Sequence, residues 1–245
     1  MWFDGSYHGH HALWLKNEFL EVCVLPEKGA DIVEFIYRPT SIQFLMKTPW
    51  GLKPPGSQPP AEFLENYEGG WQELFPNHND ACEYRGRSIP MHGEAALLPW
   101  DYETVADDGV ETAVHFQVRC RQTPFLLERT MRLRLGEAAL RIESRLTNEA
   151  AEPWEFVWGQ HITLGGDFLE SGCVFDTPAK QIYTAEQLFE PATARLAPGQ
   201  TAGWPFAHSR SGGQVDLRQI PGPEIHSHDD AFLGGFERGH YTVKN

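Results

Sequence analysis

From Val114 to Cys120 the chain reads Val-His-Phe-Gln-Val-Arg-Cys, with apolar and polar residues in strict alternation. A period of two sends every second side chain to the same face, the pattern of a strand with one side in a core and the other in water. The same period runs through Met131-Arg132-Leu133-Arg134-Leu135 and, after Gly136-Glu137, from Leu140 to Leu146. In that later run Arg141, Glu143 and Arg145 share one face, and Leu140, Ile142 and Leu146 share the other. Two such runs joined by a short glycine-containing link predict an antiparallel hairpin. The cluster 147–153 predicts a turn. Trp154 to Trp158 then reads as another strand, which delivers His161 at or just past its end.

Breakers punctuate the chain throughout, 23 glycines and 18 prolines, as short antiparallel strands require. Before residue 70 the pattern predicts at most a turn or two of helix, near Ala61 to Tyr67. Strands do not alternate with helical stretches of 10–15 residues, which disfavours a parallel α/β sheet. The prediction is an all-β antiparallel sandwich, and a length of 245 residues suits a single domain over 1–245. Residues 49–60, rich in proline and glycine, form one long loop, either a plain surface loop or a cover over a site.

Apolar residues make up 41% of the chain and charged ones 22%, a globular composition able to build a sizeable core. The 34 acids against 20 bases give a net charge of −14. Such a field repels nucleic acid and anionic membrane surfaces, and it favours a neutral substrate over a phosphorylated one. Cys23, Cys82, Cys120 and Cys173 show no CxxC spacing. Cys23 and Cys120 lie in strand-like runs and read as buried thiols, so no disulfide framework is expected. Met1 to His11 has neither a basic nor an apolar leader segment, and no apolar run approaches the ~20 residues of a membrane span. A cytoplasmic protein is the expectation.

The candidate chemistry gathers between Glu68 and Glu94. Glu68-Gly69-Gly70-Trp71-Gln72-Glu73-Leu74-Phe75-Pro76-Asn77 precedes Pro90-Met91-His92-Gly93-Glu94, with His78, Asn79, Asp80, Glu83, Arg85 and Arg87 in the loop between. Trp71 offers a ring face suited to the C–H surface of a sugar, and the amides and charged groups offer in-plane hydrogen bonds to hydroxyls. An aromatic platform with convergent donors and acceptors is what a polyol site needs.

These elements resemble the aldose 1-epimerase (galactose mutarotase) family, in which a "GG…LFPN" segment precedes an "HG" loop. The resemblance extends to Leu15–Ile32, which is similar to the family's opening hairpin. It also takes in Val157-Trp158-Gly159-Gln160-His161, similar to its "WG.H" element, and Asp229-Asp230-Ala231-Phe232, similar to its "D..F" segment. It implies an antiparallel β-sandwich of the galactose mutarotase type and interconversion of the α and β anomers of a free aldose, with no cofactor and no metal. Opening a cyclic hemiacetal takes a proton from the C1 hydroxyl and gives one to the ring oxygen, both general acid–base steps. By resemblance His161 is the acid at the ring oxygen, His92 orients the sugar, and Asp229 binds it. Trp71, Asn77, Glu94 and Gln160 complete the expected substrate contacts. The family's base is a glutamate on a late strand. After the Asp229 segment only Glu237 is near, and it sits too soon, so either the base and further strands lie beyond Asn245 or the protein lacks the base and is not a standard epimerase.

Other readings are open to the same residues. A non-catalytic carbohydrate-binding protein on this fold needs no base. A hexose-6-phosphate epimerase needs arginines such as Arg85 or Arg87 at the pocket. His226-Ser227-His228-Asp229 and His8-Gly9-His10-His11 crowd imidazoles, but neither lies upstream of a suitably spaced Glu and further His, so no metal is expected. The partner expected is a small sugar, with neither nucleic acid nor membrane.

Overall fold

The alternating runs become strands largely where their period places them. A computed structural model describes residues 1–56 and 62–245. The end of the 49–60 loop, and Ala61 at the start of the expected helical turn, lie outside these described residues. The chain divides into two compact units, Met1–Phe168 and Leu169–Asn245.

In the first unit the strands are β1 (Trp2–Tyr7), β2 (His10–Lys16), β3 (Leu20–Leu25), β4 (Asp31–Tyr37), β5 (Ile42–Gln43) and β6 (Trp71–Leu74). They continue with β7 (Cys82–Tyr84), β8 (Arg87–Ile89), β9 (Asp101–Asp107), β10 (Glu111–Arg119), β11 (Phe125–Arg134), β12 (Leu140–Asn148) and β13 (Gly159–Ile162). One sheet has the order β1-β2-β3-β4-β6-β13, with β5 on β4, and a second has the order β12-β11-β10-β9. Every pairing is antiparallel. The predicted hairpin is β11–β12, with Leu133 opposite Leu140. The predicted helical turn shrinks to one 3₁₀ turn, Leu64–Asn66.

Leu13, Leu15, Val22, Val24 and Ile32 from the first sheet meet Val114, Phe116, Leu127, Met131 and Leu133 from the second in one buried cluster. This is the core of a β-sandwich, and its apolar burial is the main stabilising contribution. Cys23 is buried and Cys120 half-buried. Burial pushes the Cys120 thiol up to about 12, so it stays protonated at neutral pH. Among the described residues no helix is long and apolar enough to cross a membrane.

One expected strand is absent. Residues 154–158 join no sheet, and their cross-chain backbone bond runs from Val157 N to the Pro76 carbonyl. The neighbouring β6 stops at Leu74, and Pro76 has no N–H to extend a ladder. Pairing therefore begins later, and His161 lies inside β13 rather than past a strand's end.

A line of charge crosses the packed interior. Arg129, on an inward-facing position of β11, is 1% exposed and pairs at 2.9 Å with the fully buried Glu73. Lys28 pairs with Asp31 at 2.5 Å and with Glu68 at 2.8 Å, all three buried. Burial would lower the Lys28 ammonium, but Asp31 and Glu68 outweigh it and hold its pKa up. Asp31 is raised to about 7, by burial first and then by the charge of Glu68. Three acids and two bases leave one negative charge uncompensated, and a buried group relieves this by keeping a proton.

The second unit is built from short pairs. Val174–Asp176 pairs with Thr242–Lys244, Gln181–Tyr183 lies between Thr201–Gly203 and Phe232–Gly234, and Phe206–His208 pairs with Gln214–Asp216. Ile182, Leu196 and Ala207 form its small core.

Candidate active site

The site is set by the pairing of β6 with β13, in which Gln72 faces His161 and Glu73 faces Gln160. Side chains alternate along both strands, so Trp71, Glu73, Gln160 and Ile162 share one face while Gln72, Leu74 and His161 share the other. Trp71 and Ile162 pack against the sandwich core. His161 stands on the opposite side, where Leu74 packs with Phe63.

There the His161 ring lies 5.7 Å from the His92 ring, centroid to centroid, tilted by 42°. Phe63 stands edge-on to both, 4.4 Å from His92 and 5.8 Å from His161. Tyr67 stands perpendicular to His161 at 5.3 Å. The Tyr67 hydroxyl hydrogen-bonds Thr163 Oγ1, which lies 3.4 Å from His161 Nδ1. Burial, and then the neighbouring His92, hold the His161 pKa below the usual histidine value. At neutral pH His161 is therefore a neutral imidazole, a proton acceptor.

His92 reaches its position through an unusual backbone. It has φ 61°, and Gly93 follows at φ 80°. A Cβ on Gly93 would stand 2.1 Å from the Phe75 carbonyl oxygen, so only glycine fits. Histidine is among the residues that tolerate this left-handed region. The His92 backbone N–H donates to the Asn79 carbonyl at 2.9 Å, and Nδ1 lies 2.8 Å from the His78 carbonyl oxygen. A carbonyl only accepts, so Nδ1 carries the proton and Nε2 is left for proton exchange. Asn77 donates to the Asn79 and Asp80 carbonyls at 3.1 and 2.6 Å, which shapes the loop that His92 leans on.

Trp71 and Gln160 support this pair from behind. Trp71 Nε1 donates to Gln160 Oε1 at 2.5 Å, and Gln160 Nε2 donates to Glu73 at 2.6 Å. Glu73 also accepts from Trp158 Nε1 and from Arg129. The carboxylate thus ties both ends of the β13 approach to β6, from the face opposite His161. Glu94 is also engaged. It accepts from the backbone N–H groups of Arg121, Gln122 and Thr123, at 2.5, 3.0 and 3.2 Å, and from Thr123 Oγ1 at 3.0 Å.

Asp229 belongs to the second unit. Its carboxylate accepts from Arg195 Nε at 2.6 Å, and from the backbone N–H groups of Arg195 and Leu196 at 2.7 and 3.1 Å. Arg85 lies 3.9 Å from Glu152 and packs over Trp154. Of the crowded imidazoles, His10 bonds the Lys53 carbonyl, His11 bonds Asp4, and His228 lies near Asp230. Among the described residues no three His, Cys, Asp or Glu side chains come together as a metal site.

Sequence reasoning missed Phe63, Tyr67, Thr163 and the Arg129–Glu73 pair. Arg129 carried a readable signal, because it interrupts the inward apolar series Phe125, Leu127, Met131 and Leu133 at a spacing of two.

Comparison with solved structures returns the same architecture. The chain superposes on a galactose mutarotase-like protein from Clostridium acetobutylicum with a TM-score of 0.59 at 13% identity, over 76% of this chain and 62% of that one. It superposes on a provisionally assigned aldose 1-epimerase from Klebsiella pneumoniae with a TM-score of 0.58 at 17% identity, over 71% of this chain and 49% of that one. For an aldose epimerase homologue from C. elegans the TM-score is 0.52 at 13% identity, over 88% and 66%. The chain thus spans about half to two-thirds of the length of these structures. The fold is the antiparallel sandwich of the galactose mutarotase type. A comparison with curated proteins finds no match. A family profile described as "Domain of unknown function (DUF4432)" matches residues 7–205, most of the chain, and the protein belongs to that family.

Proposed function

We propose that the His92–His161 face binds a free aldose and interconverts its α and β anomers by general acid–base catalysis. The observation that carries this reading is the pair of imidazoles 5.7 Å apart, on one side of the sheet and walled by Phe63 and Tyr67. Two proton-exchanging groups within the span of one sugar ring are what the reaction requires. Neutral His161 takes the C1 hydroxyl proton, the bond from C1 to the ring oxygen breaks, and an open-chain aldehyde forms. His92, holding a second proton on Nε2 besides the one that Nδ1 shares with the His78 carbonyl, gives the Nε2 proton to the ring oxygen. Rotation about the C1–C2 bond, followed by the reverse transfers, closes the ring on the other face. This departs from the roles that the family resemblance implies, with His161 the acid at the ring oxygen, His92 orienting the sugar and a late glutamate the base, because the lowered pKa of His161 suits acceptance.

The pH dependence tests this assignment. A base must be unprotonated to act, so kcat/KM falls as pH drops through the folded pKa of His161, which lies below 6.5. Initial polarimetric rates on fresh α-glucose and α-galactose, corrected for spontaneous mutarotation, should decline below pH 6.5 as His161 takes up a proton. An acid limb with its midpoint at or above pH 7 would contradict His161 as the base.

A further inference from the structure

Trp50 is 67% exposed, an unusual condition for the largest apolar side chain. Single exposed apolar residues are ordinary, but this one is also held in place. Its indole Nε1 donates to the Tyr67 carbonyl at 2.9 Å. It stands in the turn Thr48-Pro49-Trp50-Gly51, closed by the Gly51 N–H on the Thr48 carbonyl at 3.1 Å. Proline at the second position fixes that turn's backbone, and Gly51 supplies a φ of 66°. The turn is bonded to the segment carrying Tyr67, through Thr48 N to the Glu68 carbonyl at 2.9 Å and a bridge between Lys47 and Gly69. Tyr67 in turn meets His161 ring to ring. A rigid indole, with its one polar atom satisfied and its ring in water, therefore stands one residue away from the wall of the histidine pair.

We infer that Trp50 is the stacking platform of this site and takes the C–H face of a pyranose held over His92 and His161. The inference rests on reading that pair as a sugar site. It moves the platform from Trp71, whose ring packs toward the core with its N–H on Gln160. A platform already fixed in place loses little freedom when the sugar binds, so its ring area converts efficiently into affinity.

Methyl β-D-galactopyranoside and methyl β-D-glucopyranoside test the inference, because they present the same ring faces but cannot open. Saturation-transfer NMR on the full chain should detect at least one of them on the wild-type protein. Trp50→Ala should weaken that binding about tenfold, in line with the loss of an aromatic contact. Trp50→Phe, which keeps a ring but loses the bond to Tyr67, should retain most of it. For free aldoses, Trp50→Ala should raise KM with little change in kcat. Binding of the glycosides by the wild type, lost in Trp50→Ala, would uphold the platform even if no anomer exchange were seen. Equal affinity in wild type and Trp50→Ala would overturn it, even with catalysis intact. Failure of the wild type to bind either glycoside would overturn it together with the reading on which it rests.

Discussion

Replacement of His161 by alanine is expected to lower kcat for anomer interconversion by a factor on the order of 10²–10⁴, the usual share of one positioned proton carrier. The side chain is half-buried on an edge strand, and its backbone keeps its pairing with Gln72 whatever the side chain, so the fold should survive. Phe63, Tyr67 and His92 remain in place, and sugar affinity should change by only a few-fold. His161→Asn is the sharper variant, because it keeps a hydrogen-bonding group of similar polarity yet cannot carry a proton near neutral pH. Both variants should show the same loss in kcat. Turnover at the wild-type rate in either one removes His161 from the mechanism.

The second large effect is on stability. Arg129→Met should cost about 3–5 kcal/mol, read as a lower urea midpoint, because it strips the Glu73 carboxylate of its buried counter-charge. Arg129 also donates to the Ala30 carbonyl and lies over the rings of Trp100 and Phe116, at 4.9 and 5.8 Å, so few of its surroundings can adapt to the loss. Pairing the change with Glu73→Leu should recover much of the stability, since an apolar pair of matched volume often replaces a buried ion pair at no net cost. The double variant should nonetheless lose activity, because Glu73 holds Trp158 and Gln160 on either side of the start of β13. A loss below about 1 kcal/mol in Arg129→Met would show that the pair is not the bridge between the sheets that its burial implies.

The sandwich was legible in the sequence because half-buried strands write their period directly, as in Val114–Cys120 and Leu140–Leu146. Trp154–Trp158 misled because its composition is strand-like, while pairing depends on a neighbour whose ladder ends before Pro76. The histidine pair was legible as two marked positions, but its walls were not. Phe63 and Tyr67 sit in a segment without period and meet His161 only through the fold. Trp71 was marked by its ring face and Gln160 by its place beside His161, but the bonds that fix the two side chains were not readable. Their face is decided by Glu73, a polar residue turned inward because Arg129 waits there from another strand. Glu94 is likewise claimed by a turn at residues 121–123 that nothing near it in the chain announces.

The most direct test of the central claim is two-dimensional exchange NMR on equilibrated glucose and galactose with the wild-type protein. The account predicts cross-peaks between α and β anomeric protons that grow in proportion to protein concentration, above the exchange seen in buffer, and that vanish in His161→Ala. Cross-peaks no stronger than in buffer, for both sugars and at all protein concentrations, would contradict it.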